Sequence, residues 1–437
     1  VALARARGPR AAAALRDLAT GDTADDVRDV AILSLGTLGD PAPALTLHTL
    51  LADEEASVER RGLAAVALGM CGGADAVDLL LLHFDLDDPR VAKSHPELLA
   101  SALVGLAATR RPEAVAPLRS ALANTRLRAE VRAFAATGLG ALGDRGSIDA
   151  LVPLVIESTD PALRQGAATA LGALLTAEDV RPVNALLHAS RADSDLGVRA
   201  LASVALGNVR GAAVRAQLEK DFGAAGDRTR PWLALALGLQ GDTAAAPLLR
   251  EAHARDEHEE SLQGAYAIAL GLLGDAGSGD LLVGEARRPR RFWSPLYAAQ
   301  ALILLDAREA CDMLATRMDA ASDARERAAL ATALGHLGDR RGVEAMRAVL
   351  RSGDSVYAAC HAAAALGGQR ALDALPELVA IVTDPDRPGL VRACAVSAVG
   401  RIVAATDEDP LARRAATHVH LIPLDALVLA RELSERR

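Results

Sequence analysis

Apolar and polar residues follow a helical period along this chain, and the pattern itself repeats. Val131-Arg132-Ala133-Phe134-Ala135-Ala136-Thr137-Gly138-Leu139 places Ala, Phe and Leu at spacings of three and four, which predicts an amphipathic helix. It runs into Leu139-Gly140-Ala141-Leu142-Gly143-Asp144, and a second aliphatic stretch, Ile148-Asp149-Ala150-Leu151-Val152-Pro153-Leu154-Val155, follows. The Leu-Gly-x-Leu-Gly-Asp hexad returns at 35–40, 270–275 and 334–339. With its first glycine as phase marker, the series is 36, 69, 105, 140, 172, 207, 238, 271, 303, 335, 367 and 400, and Ile303 replaces glycine once. The intervals run from 31 to 36 residues. A fixed period of this length marks a repeat array and predicts about twelve two-helix units over nearly the whole chain.

Local chemistry fills in the unit. The first helix is expected to end at the phase glycine, a residue suited to the positive φ of a helix terminus. The Asp four places on (Asp40, Asp144, Asp242, Asp275, Asp339) is expected to cap the second helix through amide hydrogen bonds. Pro41 then takes the tolerated first helical position. The repeated Arg28, Arg132, Arg164, Arg199 and Arg392, with the repeated Asp, read as a ladder of Arg–carboxylate bonds between neighbouring units. No hexad follows a strand, so none reads as a phosphate-binding loop.

Composition explains how such an array closes its core. Hydrophobic residues make up 51% of the 437, but only four Phe, three Tyr and two Trp are present. Small side chains on one helix must therefore admit a close neighbour while Leu and Val on the other fill the gap. A formal charge of −9 argues against nucleic-acid binding, which relies on a basic footprint. Lys93 and Lys220 are the only lysines, which points to a coding bias such as that of a GC-rich bacterial genome. No apolar run reaches the ~18 residues of a membrane helix, so no membrane insertion is expected. The chain opens on Val1 rather than Met. Its true N-terminus is expected to lie upstream, which leaves export open, with cytoplasm the expected compartment.

The unit Val-Arg-x-x-Ala-Ala-x-Ala-Leu-Gly-x-Leu-Gly-Asp, followed by a Leu-rich helix, resembles the short HEAT-like repeats of the phycobilisome-lyase type. Good matches begin at Val27-Arg28, Val131-Arg132, Val198-Arg199 and Val391-Arg392, whereas units near 95–110 and 294–306 depart from it. The resemblance implies an all-α, right-handed α-solenoid in which each unit touches only its neighbours. Residues 1–20 are expected to form an N-terminal cap or the remnant of an earlier repeat, 21–409 the array, and 410–437 C-terminal cap helices.

The resemblance also implies that the Val-Arg helix lines the concave surface through positions flanking its Ala-Ala pair. Carried over, these are Val30, Leu33, Leu63, Val66, Phe134, Thr137, Leu201, Val204, Trp232, Leu235, Ile268, Tyr297, Cys360 and His361. A contiguous apolar surface marks a partner site, although tight curvature could simply bury these residues. Phe222, Trp232, Tyr266, Phe292, Trp293 and Tyr297 crowd six of the nine aromatics into 222–297. The expected binding residues are Phe134, Leu201, Val204, Trp232, Leu235, Tyr266, Trp293, Tyr297 and His361, with Trp232, Tyr266, Trp293 and Tyr297 as anchors. The basic run Arg287-Arg288-Pro289-Arg290-Arg291 reads as a solvated loop balanced by Asp256-Glu257-His258-Glu259-Glu260.

Catalytic readings are weaker. His258-Glu259 is the only His-Glu pair of the kind repeated in HEAT-repeat deoxyhypusine hydroxylases, and no metal is expected. Cys360 and His361 are adjacent and point about 100° apart on a helix. Cys360 and Cys394 fall in neighbouring units, where layers about 10 Å apart exceed the ~7 Å limit for a disulfide. The expectation is a non-catalytic scaffold or adaptor, without cofactor, that grips a protein or peptide in a concave apolar groove. The alternatives are a lyase- or chaperone-like factor acting on a chromophore-carrying protein, and a structural spacer in a larger assembly.

Overall fold

The computed structural model describes residues 9–21, 25–36, 43–72, 75–84, 95–286, 293–322, 324–352 and 355–403. The expected segment 410–437, the loop Arg287–Arg291, Phe292, Asp40 and Pro41 lie outside these residues, as does the side chain of Trp293. No strand occurs among the described residues. The first helices of successive repeats are Asp25–Gly36, Val58–Met70, Pro96–Ala108, Ala129–Ala141, Pro161–Leu174, Leu196–Asn208, Arg230–Gln240, Glu260–Leu273, Trp293–Leu304, Ala324–His336, Val356–Gly368 and Gly389–Val403. A second helix follows each but the last, as Ile148–Glu157 follows Ala129–Ala141. The chain is thus an all-α solenoid of two-helix repeats. It divides into two compact units, Ala12–Ala307 and Arg308–Arg437 with Val1–Ala11.

Each core is a double row of leucines. In the larger unit Leu139, Leu171, Leu206, Leu237, Leu270 and Leu302 precede the phase position and are fully buried. They are matched by Leu118, Leu151, Leu186, Leu218, Leu249 and Leu282 from the second helices. Leu334 and Leu366 with Leu314, Met346 and Leu378 repeat the arrangement in the smaller unit.

The phase glycine does not terminate its helix. Gly140 lies within Ala129–Ala141 and Gly271 within Glu260–Leu273. A Cβ on Gly140 would sit 2.7 Å from Ala170 Cα of the next first helix. The same distance is 2.6 Å for Gly172 against Ala205, 2.8 Å for Gly271 against Ala301 and 2.7 Å for Gly367 against Ala398. Real Cβ atoms do not tolerate such contacts, so glycine is required for backbone-to-backbone approach. The positive φ belongs to the second glycine of the hexad, at Gly143 (70°), Gly274 (73°) and Gly338 (82°), where the chain reverses after the helix.

The Asp that follows caps the second helix directly at Asp339, before Arg340–Ser352, and a short 3-10 turn at Asp242, before Thr243–Ala245. Asp242 Oδ1 accepts from the Ala244 amide at 3.0 Å, and Asp339 Oδ1 from the Arg341 amide at 2.9 Å. Asp144 instead accepts the Ser147 hydroxyl and both arms of Arg119 from the preceding second helix, at 2.8 and 2.6 Å. Asp275 repeats this with Ser278 and Arg250.

The expected Arg–carboxylate ladder needs a correction. Arg132 Nε donates to Leu122 O at 2.9 Å, and Arg392 Nε to Val382 O at 3.2 Å. Arg61 does the same to Leu51 O at 2.9 Å. Each acceptor lies ten residues back, near the end of the previous second helix, where carbonyls lack intrahelical partners. Arg199 reaches the carbonyl of Asp193, and Arg28 pairs within its own helix with Asp25. Arg164 grips a carboxylate across its own repeat, Asp193 at the end of the second helix Val180–Ala192, with two bonds of 2.8 Å. Elsewhere inter-repeat ion pairs come from second helices, as in Arg119–Asp144, Arg191–Asp221 and Arg347–Glu377, and from first helices, as in Arg60 with Asp25 and Asp29 of the preceding repeat.

These contacts set the pH response. The Arg119 hydrogen bond holds Asp144 below the usual carboxylate range, and Arg341 does the same for Asp339. At Asp193 burial pushes upward, but the Arg164 bonds and the Asp195 amide outweigh it and the net direction is down. Burial pushes His83 and His336 down, with Arg61 adding to the effect at His83.

Gly140→Ala is expected to lower stability by about 2 kcal/mol through overpacking, and Gly143→Ala by about 1 kcal/mol through its positive φ alone. Gly223→Ala, within a helix and with nothing inside 4 Å, should gain about 0.5 kcal/mol. Urea unfolding followed by circular dichroism checks the order, and equal losses at positions 140 and 223 would contradict the packing role. Arg164→Leu should cost about 3 kcal/mol, because it leaves a buried carboxylate unpaired. The depressed histidines make stability fall shallowly once the unfolded chain protonates below about pH 6.5. The depressed carboxylates contribute fully above about pH 4, and that part is lost as pH falls through their lower folded values. An unfolding midpoint that rises on acidification from pH 7 would contradict both assignments.

Candidate functional site

Two positions of each first helix, six and three residues before the phase position, share one face because they lie a helical turn apart. Across the larger unit they run from Val30 and Leu33 through Leu201 and Val204 to Tyr297 and Gln300. None of the eighteen, two in each of nine repeats, is charged in a chain that is 24% charged. Their accessibility is uneven: Val30, Leu33, Leu63, Val66, Leu201, Val204, Leu235, Ile268 and Tyr297 are half-buried, whereas Leu99, Ala102, Gly166, Trp232 and Ala265 are buried. Phe134 is the most open of the aromatic candidates in this unit, 45% exposed.

Leu201 and Val204, Leu235, Ile268 and Tyr297 come from four consecutive first helices between Leu196 and Leu304. Tyr297 lies directly on the preceding helix, with its ring over Gly264, so that any Cβ there would collide with it. Gly264 thus makes room for the ring rather than for a turn. Phe134 is set apart from this group by Pro161–Leu174, whose corresponding positions are Gly166 and Thr169. His361 occupies the same register in the smaller unit, where its Nδ1 lies 3.3 Å from Thr332 Oγ1 and its ring 6.2 Å from that of Tyr357.

Two expected anchors are placed in the core. Trp232 has the right register but is only 6% exposed, and its indole N–H finds no acceptor. Tyr266 is fully buried. It stands five residues before Gly271, one step off the accessible register, and one step turns a side chain about 100°. Its ring packs edge-on against Phe222 at 5.8 Å. Its hydroxyl donates to Asp256 Oδ2 at 2.7 Å. Burial, reinforced by that bond, pushes the Tyr266 hydroxyl well above its ordinary pKa, while Arg255 and Tyr266 hold Asp256 low against the upward push of burial.

Gln263 was not anticipated from sequence. It stands eight residues before Gly271, where Arg132 stands before Gly140, and its amide donates to His253 O at 2.5 Å. This is the ten-residue bond the arginines make elsewhere, and the shared register was the signal that could have revealed it.

The potential for chemistry elsewhere is limited. Cys311, Asp312, Asp339 and Arg341 line a cavity of about 420 Å³ in the smaller unit. Burial and the neighbouring Asp339 push the Cys311 thiol up, away from the thiolate a nucleophile needs. Arg341 is engaged by Asp339 and Asp312 at 2.6 and 2.9 Å. Among the described residues no three His, Cys, Asp or Glu side chains converge as a metal site, and no helix is long and apolar enough to cross a membrane.

Comparison with known proteins agrees with the repeat architecture. Residues 89–171 and 127–207 match the model for HEAT repeats, and 326–352 match the PBS lyase HEAT-like repeat. No curated protein sequence matches the chain. Among solved structures, human deoxyhypusine hydroxylase in complex with glycerol is similar at 23% identity, covering 62% of this chain and 99% of that one, with a TM-score of 0.27. Kap95p, solved with RanGDP, is similar at 15% identity, covering 98% of this chain and 66% of that one, with a TM-score of 0.39. Both superpositions are loose, and neither bears on what this chain binds or does. The repeat matches and the helical architecture together make the chain a HEAT-repeat protein, with one repeat of the PBS lyase HEAT-like kind.

Proposed function

We propose that this chain is a protein-interaction scaffold that holds an apolar helix or extended peptide against the first helices of its larger unit. The observation that carries this reading is the uncharged face running from Val30 to Gln300, with Leu201, Val204, Leu235, Ile268 and Tyr297 accessible on adjacent helices. A contiguous apolar strip on a protein surface serves recognition. A helix laid into such a groove buries residues spaced three and four apart. Each 100 Å² of apolar surface so covered stabilises the complex by about 2.5 kcal/mol before the costs of association.

Tyr297 is the aromatic anchor that this reading retains. Trp232, only 6% exposed, lies beneath the surface and is not an anchor in this reading. The unpaired Trp232 N–H is a donor that folding leaves unsatisfied, at a cost of about 1–3 kcal/mol.

The test is affinity capture with the intact chain as bait, read by mass spectrometry, followed by titration of the captured partner. Leu201→Asp with Leu235→Asp should weaken binding by about 100-fold, and Tyr297→Ala by about 10-fold. Leu45→Asp, at a 70% exposed position on a second helix, should leave binding unchanged. A partner held equally by all three variants, with helix content intact, would place the site elsewhere.

A further inference from the structure

The last described second helix, Leu375–Thr383, ends in an incomplete interface. In three of the second helices that precede it, the residue after the central buried Leu or Met is an Arg that reaches forward to the next repeat. Arg119, after Leu118, binds Asp144; Arg250, after Leu249, binds Asp275; Arg347, after Met346, binds Glu377. Where that residue is aliphatic it is covered more than half: Val152 after Leu151 and Leu187 after Leu186 are buried, and Leu81 and Val283 are half-buried. Val379 stands at this register after the fully buried Leu378, yet it is 48% exposed. Beside it Leu372 opens the 3-10 turn Leu372–Ala374 and is 66% exposed. In an earlier repeat the residue opening that turn is Arg145, which binds Leu174 O and Asp179 of the repeat that follows. The two forward-reaching positions are thus apolar and bare.

The chain supplies a matching element. Leu424-Asp425-Ala426-Leu427-Val428-Leu429 carries the signature of the second helix that begins Ile148-Asp149-Ala150-Leu151-Val152-Pro153. Asp, Ala, Leu and Val coincide at four successive places. Leu421, Leu424, Leu427 and Val428 fall at spacings that form one apolar stripe on a helix. Gly389–Val403, moreover, is a first helix with no second helix among the described residues.

We propose that residues 421–433 dock as the second helix of the final repeat, covering Val379 and Leu372 with the stripe Leu421, Leu424, Leu427 and Val428. The occupant of this face is the chain itself, and the contact continues the packing of second helix on second helix that Ile148–Glu157 makes with Val180–Ala192. This inference is independent of the groove reading.

The test uses the full chain carrying Val379→Cys, with maleimide modification at residue 379 followed by peptide mass. The comparison is the same chain with Leu424→Asp, Leu427→Asp and Val428→Asp. Cys at 379 should react about tenfold more slowly when the stretch is intact, as expected for a site opened only by local undocking, at a rate independent of protein concentration. Leu372→Cys repeats the measurement should Val379→Cys disturb the helix, with circular dichroism confirming unchanged helix content. Equal rates with and without the Asp substitutions would overturn the proposal. Protection that grows with protein concentration would also overturn it, assigning the face to a second copy.

Discussion

The architecture depends on one close contact, backbone against backbone between neighbouring first helices within a unit, made at phase glycines such as Gly140, Gly172, Gly271 and Gly367. With 2.6–2.9 Å between the missing Cβ and the neighbouring Ala Cα, as at Gly172, Gly207 and Gly140, the first helices approach nearer than side chains would allow. Dispersion attractions at this range are individually small and collectively large, which is how a chain with nine aromatics closes a core. Packing against glycine and alanine leaves little room for charged stems beside the phase glycines, and Arg60, which pairs with Asp25 and Asp29 of the preceding first helix, does so at the start of its own helix. The accessible face of the first helices therefore takes side chains that can lie flat, such as Tyr297 over Gly264, and an uncharged strip is the consequence.

The second helices are joined by different physics. Arg119, Arg191, Arg250 and Arg347 bridge to acids of the next repeat, and arginines or Gln263 close the carbonyls left open at helix ends. Exposed pairs of this kind contribute little each, whereas Arg164–Asp193, nine-tenths buried on both sides, is costly to break. The repeat thus combines a tightly packed apolar layer with a polar layer that fixes register. The bare Val379 shows what the second layer looks like where no described helix continues it.

Much of this was legible in the sequence, and the failures are instructive. The phase series located all twelve first helices, because a period of about 33 survives local departures such as Ile303. The glycine was found but its role was misread, since a glycine near a helix end suits both capping and close packing, and only the neighbour's position distinguishes them. The face register picked out Phe134, Leu201, Val204, Leu235, Tyr297 and His361 at positions that are exposed or half-buried. It failed for Tyr266 because aromatic crowding was read without phase, and one residue of phase separates surface from core. Trp232 has the right phase but is buried, and burial depends on neighbouring side chains that periodicity does not resolve. Arginine partners were assigned by charge, yet most lie nearer a helix-end carbonyl than a carboxylate.

The central claim is that the first-helix layer is the rigid spine and that the phase glycines make it so. Native-state hydrogen exchange, resolved by peptide, tests it directly, because exchange reports the free energy of local opening. The account predicts that amides at 135–140, 167–172, 202–207 and 267–271 exchange most slowly, with second helices such as Ala212–Ala224 opening earlier. Second helices protected as well as or better than the glycine-bearing segments would contradict it.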